Sequence, residues 1–291
     1  MSSIDALEDK LSPAAMRALA GARTPKFLAT RSADGIPNVV PVLSLEPIDE
    51  QTIIFGEMMI WKTRRNLEAD PRVAIMVLAP DLRGWTIRGQ FVEFQRSGPY
   101  FDHIMASENV RYNAYGGIRS AGVIRVLEVT RSFKLSQGGL LLDTARGRWL
   151  ARRLSRDRPA GETMPVQVRE KFSRLRAAKA LAFLDDSGHP DCLAALPLVP
   201  AGPATLVFGG AGRDLDGLSP GSLVAAAVLT LEPVAYQVKG EFAGLRPSLG
   251  RRLGVIDVRE AYSASPPLPG QRLPGGKKGP TDAPQATTRK D

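Results

Sequence analysis

The chain repeats itself. Phe27-Leu-Ala-Thr-Arg-Ser-Ala-Asp-Gly-Ile-Pro37 is answered by Ala180-Leu-Ala-Phe-Leu-Asp-Asp-Ser-Gly-His-Pro190, with Gly35 and Pro37 each 153 positions before Gly188 and Pro190. Phe55-Gly56 returns as Phe208-Gly209 at the same offset, and Arg88-Gly-Gln-Phe91 returns as Lys239-Gly-Glu-Phe242 at an offset of 151. The period is far longer than the roughly 20–50 residues of a solenoid or propeller repeat. The simpler solution is two copies of one domain, and 291 residues suffice for two cores.

Each copy reads as a small antiparallel β domain. Lys26–Thr30 leads into Asp34-Gly35, a strong hairpin signal, and Val39–Leu45 is the return strand, with Pro41 marking a bulge or an edge. Gln51–Phe55 and Val73–Leu78 are apolar and rich in β-branched residues. Trp85–Gln95 is a long strand in which Gly89 points to close backbone approach or a sharp bend, and Val123–Leu135 closes the set. Ser97-Gly-Pro-Tyr starts a short helix, with Ser97 as its expected N-cap. The expected fold is mainly β with short helices: two tandem six-stranded barrels. The expected divisions are an N-terminal helical segment (1–22), a first barrel (23–142), a basic helical connector (143–174) with helix from Val166 to Ala178, a second barrel (175–261) and a disordered tail (262–291).

The net charge of +9 is unevenly placed. Residues 146–176 carry +7 and residues 262–291 carry +3, which leaves the rest at −1. The charge thus reads as a solvated connector and tail rather than a nucleic-acid surface. Cys192 is the single cysteine, so neither an intrachain disulfide nor a multi-cysteine zinc site is expected, and an inert buried thiol is. Met1-Ser-Ser-Ile-Asp-Ala-Leu-Glu lacks the features of a signal peptide, and no run is long and apolar enough to span a bilayer. A cytoplasmic protein without membrane contact is the expectation. His103 and His189 have no metal-ligand spacing, so no metal is expected, and no nucleophile motif or catalytic acid–base pair stands out.

The segment Phe55-Gly-Glu-Met-Met-Ile-Trp-Lys-Thr-Arg-Arg-Asn-Leu-Glu-Ala-Asp-Pro71 carries the most chemistry. A strand ends, a loop delivers Lys62 and Thr63, and a helix begins. A cation and a hydroxyl at a helix start, with its dipole and free N–H groups, form a phosphate site. A phosphate role requires the Lys62 ammonium to face a cavity. The second copy has Asp214, Leu215 and Asp216 where the first has Trp61, Lys62 and Thr63, and two carboxylates there would repel a phosphate.

With Gly84-Trp-Thr-Ile-Arg-Gly89, Ser97-Gly-Pro-Tyr-Phe101 and the Asp-Gly-Ile-Pro-Asn-Val-Val-Pro hairpin, this segment resembles the FMN-binding split-barrel family, which includes pyridoxamine 5'-phosphate oxidases and small FMN-binding proteins. The resemblance covers about residues 25–137 and extends more weakly to about 175–260. It implies six-stranded split barrels paired with a flavin at their interface, either as a homodimer or as a pseudo-dimer within one chain. It implies that Lys62 and Thr63 hold the FMN phosphate and that Val42, Leu43 and Ser44 line the ring and ribityl chain. It also implies that Glu57 and Met58 contact the cofactor, and that Trp85 and Arg88 lie near the ring. The implied activity is flavin-dependent oxidation or reduction of a small molecule, with F420 or haem as alternative cofactors and a non-catalytic carrier or sensor as the alternative role. The Arg/His-rich C-terminal substrate signature of a true pyridoxamine 5'-phosphate oxidase is matched only by Arg272-Leu-Pro274, with no neighbouring His, so vitamin B6 oxidation is not implied.

Overall fold

The computed structural model describes residues 8–107, 117–129, 132–157, 163–209, 218–232, 234–265 and 269–274. A short helix α1 (Pro13–Ala20) leads in, its first turn capped by the Ser12 hydroxyl, which accepts from the Ala15 N–H at 3.3 Å. The first sheet holds β1 (Lys26–Arg31), β2 (Pro37–Pro41), β3 (Glu46–Pro47), β4 (Thr52–Gly56), β5 (Arg72–Leu78), β6 (Arg83–Gln95), β7 (Ala121–Val129) and β8 (Phe133–Lys134). Helix α2 (Trp61–Ala69) joins β4 to β5, and α3 (Pro99–Ala106) follows β6. Helices α4 (Gln137–Asp157) and α5 (Val166–Ser173) lead to the second sheet. That sheet holds β9 (Ala178–Leu184), β10 (Pro190–Ala194), β11 (Val199–Pro200), β12 (Thr205–Phe208), β13 (Leu223–Leu229), β14 (Ala235–Ser248) and β15 (Arg251–Ser263).

The two sheets have one topology. The strand order β2-β1-β5-β6-β7-β4-β3 in the first becomes β10-β9-β13-β14-β15-β12-β11 in the second, all antiparallel. Six strands of four or more residues build each sheet, and β3, β8 and β11 contribute two residues apiece. Side chains from β1, β4, β5, β6 and β7 converge on one core that includes Leu28, Phe55, Ile75, Trp85 and Ile124, so the first sheet curls around it. The end strands of the ladder, β2 and β3, do not pair with each other, which makes the barrel split rather than closed. The repeat extends to detail. Gly35 and Gly188 take φ of 74° and 73° in equivalent hairpin turns, a left-handed conformation that suits glycine. Bulges at Arg88/Gly89 and Lys239/Gly240 bend the two long strands at matching places.

Strands β5 and β13 are buried on both faces, which explains their unbroken apolar runs. Val73, Ile75 and Val77 enter the first core, whereas Ala74, Met76 and Leu78 face the other barrel. There they join Phe27, Ala29 and Val39 against Ala178, Ala180, Ala182, Cys192, Ala194, Ala225 and Ala227. The second barrel presents a nearly all-alanine face, and its small side chains let the two sheets approach closely. The two barrels therefore share an apolar core within one chain, in the manner of a dimer. Cys192 is fully buried in it.

Several boundaries differ from expectation. The helix expected from Val166 is α5, which starts there; α4, from Gln137, is a further helix not delimited in the sequence, and it docks Leu150 and Ala151 onto Val199, Val207 and Val255 of the second barrel. Tertiary burial of that stripe outweighs the two glycines near its start. Helix α5 ends at Ser173, short of Ala178. The N-cap of α3 is Gly98 rather than Ser97. Strand β7 stops at Val129, and β8 is a separate short strand on β6. Strand β15 runs to Ser263, and Gln271–Leu273 fold back on its end, with the Ser263 N–H bonding to the Gln271 carbonyl at 3.0 Å and the Leu273 N–H to the Ala261 carbonyl at 2.8 Å. Beyond Pro274 the tail lies outside the described residues, as do Asp214, Leu215, Asp216, Tyr112 and Tyr115.

Two buried lysines occupy equivalent positions in the barrels. Lys26 donates to the carbonyls of Leu19 and Leu45 at 2.6 and 2.9 Å, satisfying the end of α1. Lys179, 153 positions later, donates to the Leu196 carbonyl at 3.1 Å. Burial pushes the Lys26 ammonium down to about 8, opposed by Glu46. Burial, with Arg148 adding to it, pushes Lys179 down to about 7. Both pKa values fall below that of an unfolded lysine, so between the folded and unfolded values the unfolded chain binds more protons. Stability must then rise with pH above about 7. We expect a gain of about 2 kcal/mol between about pH 7 and 9 from Lys179. Thermal melts should show Lys179→Met flattening that rise; an unchanged slope would mean that Lys179 titrates normally.

Candidate functional site

The site lies where the two barrels meet, at the start of α2. Lys62 and Thr63 both stand in the first turn of that helix rather than in the loop before it. Ile60, at the N-cap, supplies no side-chain acceptor, and the first turn holds no acidic residue, so the helix end keeps its attraction for an anion. Thr63 is buried, and its hydroxyl accepts from the Asn38 amide of β2 at 3.4 Å.

The other wall comes from the second barrel. The Gln237 amide of β14 donates to Asn38 Oδ1 at 3.0 Å and to the Val39 carbonyl at 2.6 Å. The Tyr262 ring of β15 lies over Lys62, with Nζ 3.6 Å from its centroid, and Lys239 Nζ is 6.0 Å from the same ring. The Tyr262 hydroxyl donates to Glu260 at 2.7 Å, and Glu260 pairs with Arg272 at 3.3 Å. Among the described residues, Lys62 of the first barrel and Lys239 and Arg272 of the second thus gather around the Tyr262 ring and Glu260. The sequence reading required the Lys62 ammonium to face a cavity, and it does not: its nitrogen is buried, with the Tyr262 ring of the second barrel over it.

The remaining residues singled out in the sequence are dispersed. Val42, Leu43 and Ser44 form a turn after β2, not a continuation of the strand. Val42 points into the first core. Ser44 is buried, and its hydroxyl accepts from the Gly56 N–H at 3.0 Å. Glu57 is buried and neutralised by Arg64, at 2.6 and 2.7 Å, and by the Ser120 hydroxyl at 2.5 Å. The hydrogen bond to Glu57 raises the Arg64 pKa above its ordinary value. Met58 is half-buried on the same loop. Trp85 fills the barrel interior, on the far side of the strand from the inter-barrel face.

Arg88 is the instructive case. It pairs with Asp185 at 3.0 Å and Asp191 at 3.4 Å in the second barrel, and with Glu128 at 3.8 Å in its own. This is the counterpart of the Lys62 site under the pseudo-twofold that relates the barrels. Thr86 donates to the Cys192 carbonyl at 3.0 Å, as Gln237 does to Val39. Arg88 faces Glu128 across the ladder, as Lys239 faces Glu260. Asp191 takes the place of Asn38. Each long strand reaches across to the other barrel, so Arg88 belongs to the second position and Lys239 to the first. At the second position an arginine and carboxylates close on each other. The 151-residue pairing of Arg88 with Lys239 was the sequence signal for this exchange.

The histidines lie apart: His103 is 3.3 Å from Glu46, and His189 Nδ1 is 2.9 Å from the Pro190 carbonyl. Among the described residues no group of three or more His, Cys, Asp or Glu side chains is placed to hold a metal, and no helix is long and apolar enough to cross a membrane.

No curated protein matches the chain significantly. Solved structures do. An FMN-binding protein from Syntrophomonas wolfei is 22% identical over 42% of this chain and 86% of its own, with a TM-score of 0.36. HupZ of Group A Streptococcus is 24% identical over 41% of this chain and 91% of its own, with a TM-score of 0.35. A heme-binding protein from Mycobacterium smegmatis is 16% identical over 64% of this chain and 89% of its own, with a TM-score of 0.29. The family model described as pyridoxamine 5'-phosphate oxidase matches residues 12–131, which span α1 through β7. The similarity to that family thus covers the leading barrel, about two fifths of the chain.

Proposed function

We propose that the junction between α2 and β14–β15 binds one flavin-type cofactor, FMN, through its phosphate, and that the chain is a flavin-dependent oxidoreductase acting on a small molecule. The observation that carries this is the meeting of cations from both barrels, Lys62 at a helix start with no side-chain cap and Lys239 and Arg272 around Tyr262. A phosphate monoester carries about −1.5 to −2 charges near neutral pH and suits a cationic helix start. When bound, the cofactor supplies hydride or electron transfer.

The residues of the chain have separable parts in this. Lys62 and the first N–H groups of α2 attract the phosphate, and Lys239 adds charge from the opposite wall. Asn38, Thr63 and Gln237 form a chain of hydrogen bonds that ties the barrels together beside Lys62. The reading requires the Tyr262 ring, which covers the ammonium here, to move aside when the anion binds. The exchange is favourable in magnitude. A cation–π contact contributes about 0.5–2 kcal/mol, whereas each hydrogen bond to a charged group contributes about 1.5–3 kcal/mol.

The proposal expects one cofactor per chain, because the Arg88 position is closed by its own ion pairs. Native mass spectrometry of the purified full chain should show a single bound flavin, and the mass of the released group separates FMN from F420. A Soret absorption band, or two flavins per chain, would overturn it.

A further inference from the structure

The basic connector does not run free in solution. Helix α4 is pinned along the second barrel, and the tip of the β14–β15 hairpin is tied to it. Arg146 Nε donates to the Leu249 carbonyl at 3.3 Å, and the Ser248 hydroxyl donates to the Arg146 carbonyl at 2.9 Å. This brings Arg251 and Arg252, about 100 residues away in sequence, beside the arginines of α4, a meeting that charge counts along the chain did not show. The exposed ridge of α4 has a shallow groove on each flank. One, of about 360 Å³, runs toward β11 and is lined by Arg148 and Arg152. The other, of about 400 Å³, runs toward the hairpin and is lined by Trp149, Arg153, Arg251 and Arg252.

Three features of this surface point to one kind of ligand. Arg148, Arg152, Arg153 and Arg252 are exposed and make no ion pair within 4.0 Å with any residue whose side chain is described. All the cations are arginine, whose planar fork suits phosphodiester oxygens better than a lysine ammonium does. Trp149 sits among them, partly exposed, with the Arg153 guanidinium 4.8 Å from its ring, a platform on which a base can stack. The hairpin tip is a two-residue turn in which Leu249 and Gly250 both hold a left-handed φ, of 43° and 80°.

We infer that the α4–hairpin groove binds single-stranded nucleic acid, with the arginines on the phosphates and Trp149 against a base. A lipid bilayer shares the anionic chemistry, but the partly exposed Trp149 ring set among guanidinium groups offers a stacking face to a base, which a lipid headgroup lacks. The groove is independent of the cofactor site and does not rest on it.

The test is fluorescence anisotropy of the full-length chain with a fluorescein-labelled 12-nucleotide oligouridine. Affinity should fall about 100-fold between 50 and 200 mM salt if about five phosphates are engaged. The variant Arg153→Glu/Arg251→Glu/Arg252→Glu should bind roughly 30-fold more weakly or worse, and Trp149→Ala roughly tenfold more weakly. These residues are exposed, so circular dichroism should show both variants folded. Absence of binding at 50 mM salt would overturn the inference, as would arginine variants that bind like the parent. Arginine-dependent sedimentation with phosphatidylserine vesicles without oligonucleotide binding would assign the surface to membranes instead and equally overturn it.

Discussion

Lys62→Glu should lose bound FMN, with affinity falling at least about 100-fold. The variant removes a charge-assisted hydrogen bond of about 1.5–3 kcal/mol and places a carboxylate against a dianion. The loss is not expected to come from unfolding. Residue 62 stands in the first turn of α2, where a glutamate is favoured by the helix dipole. Circular dichroism should therefore show a folded, colourless protein. Retention of stoichiometric flavin by this variant would remove the phosphate assignment and the proposed redox activity with it.

The second large effect separates two residues that look alike in sequence. Arg88→Met should lower stability by about 1–3 kcal/mol, less than the cost of breaking a fully buried pair because the groups are partly exposed. It strands Asp185 and Asp191 at the inter-barrel junction without their counter-ion. It should leave FMN affinity unchanged. Lys239→Met should do the reverse, weakening FMN about tenfold by removing one cation beside the phosphate while leaving stability nearly unaltered. Urea denaturation and flavin titration of the two variants read both quantities. If Arg88→Met weakened FMN and Lys239→Met did not, the pseudo-twofold assignment of the site would be wrong.

The fold was legible where local chemistry and the repeat agreed. Asp34-Gly35 and Asp185–His189 marked equivalent hairpins, and Gly89 marked a bend that proves to be a bulge. Lys62 and Thr63 were legible as a cation and a hydroxyl beside a helix start, which the structure places in the helix's first turn. What was not legible depended on how the copies meet. The repeat says that Arg88 and Lys239 are equivalent, but only the docking of the sheets says that each serves the other barrel. Tyr262 was assigned to a tail by composition; it is in fact paired to β14 and seated over Lys62 because the long β15 strand carries past the barrel edge. Trp85 lies in the stretch Gly84–Ile87, which is buried on both faces, and alternation alone does not say which face is the barrel interior.

The central claim is that a phosphate, rather than the flavin ring alone, is what the Lys62 junction recognises. Titrating the apo protein in parallel with FMN and with riboflavin, which lacks the phosphate, tests this most directly. FMN should bind at least about 100-fold more tightly than riboflavin, and Lys62→Glu should abolish that preference while changing riboflavin affinity little. Equal affinities for the two flavins in the parent protein would contradict it.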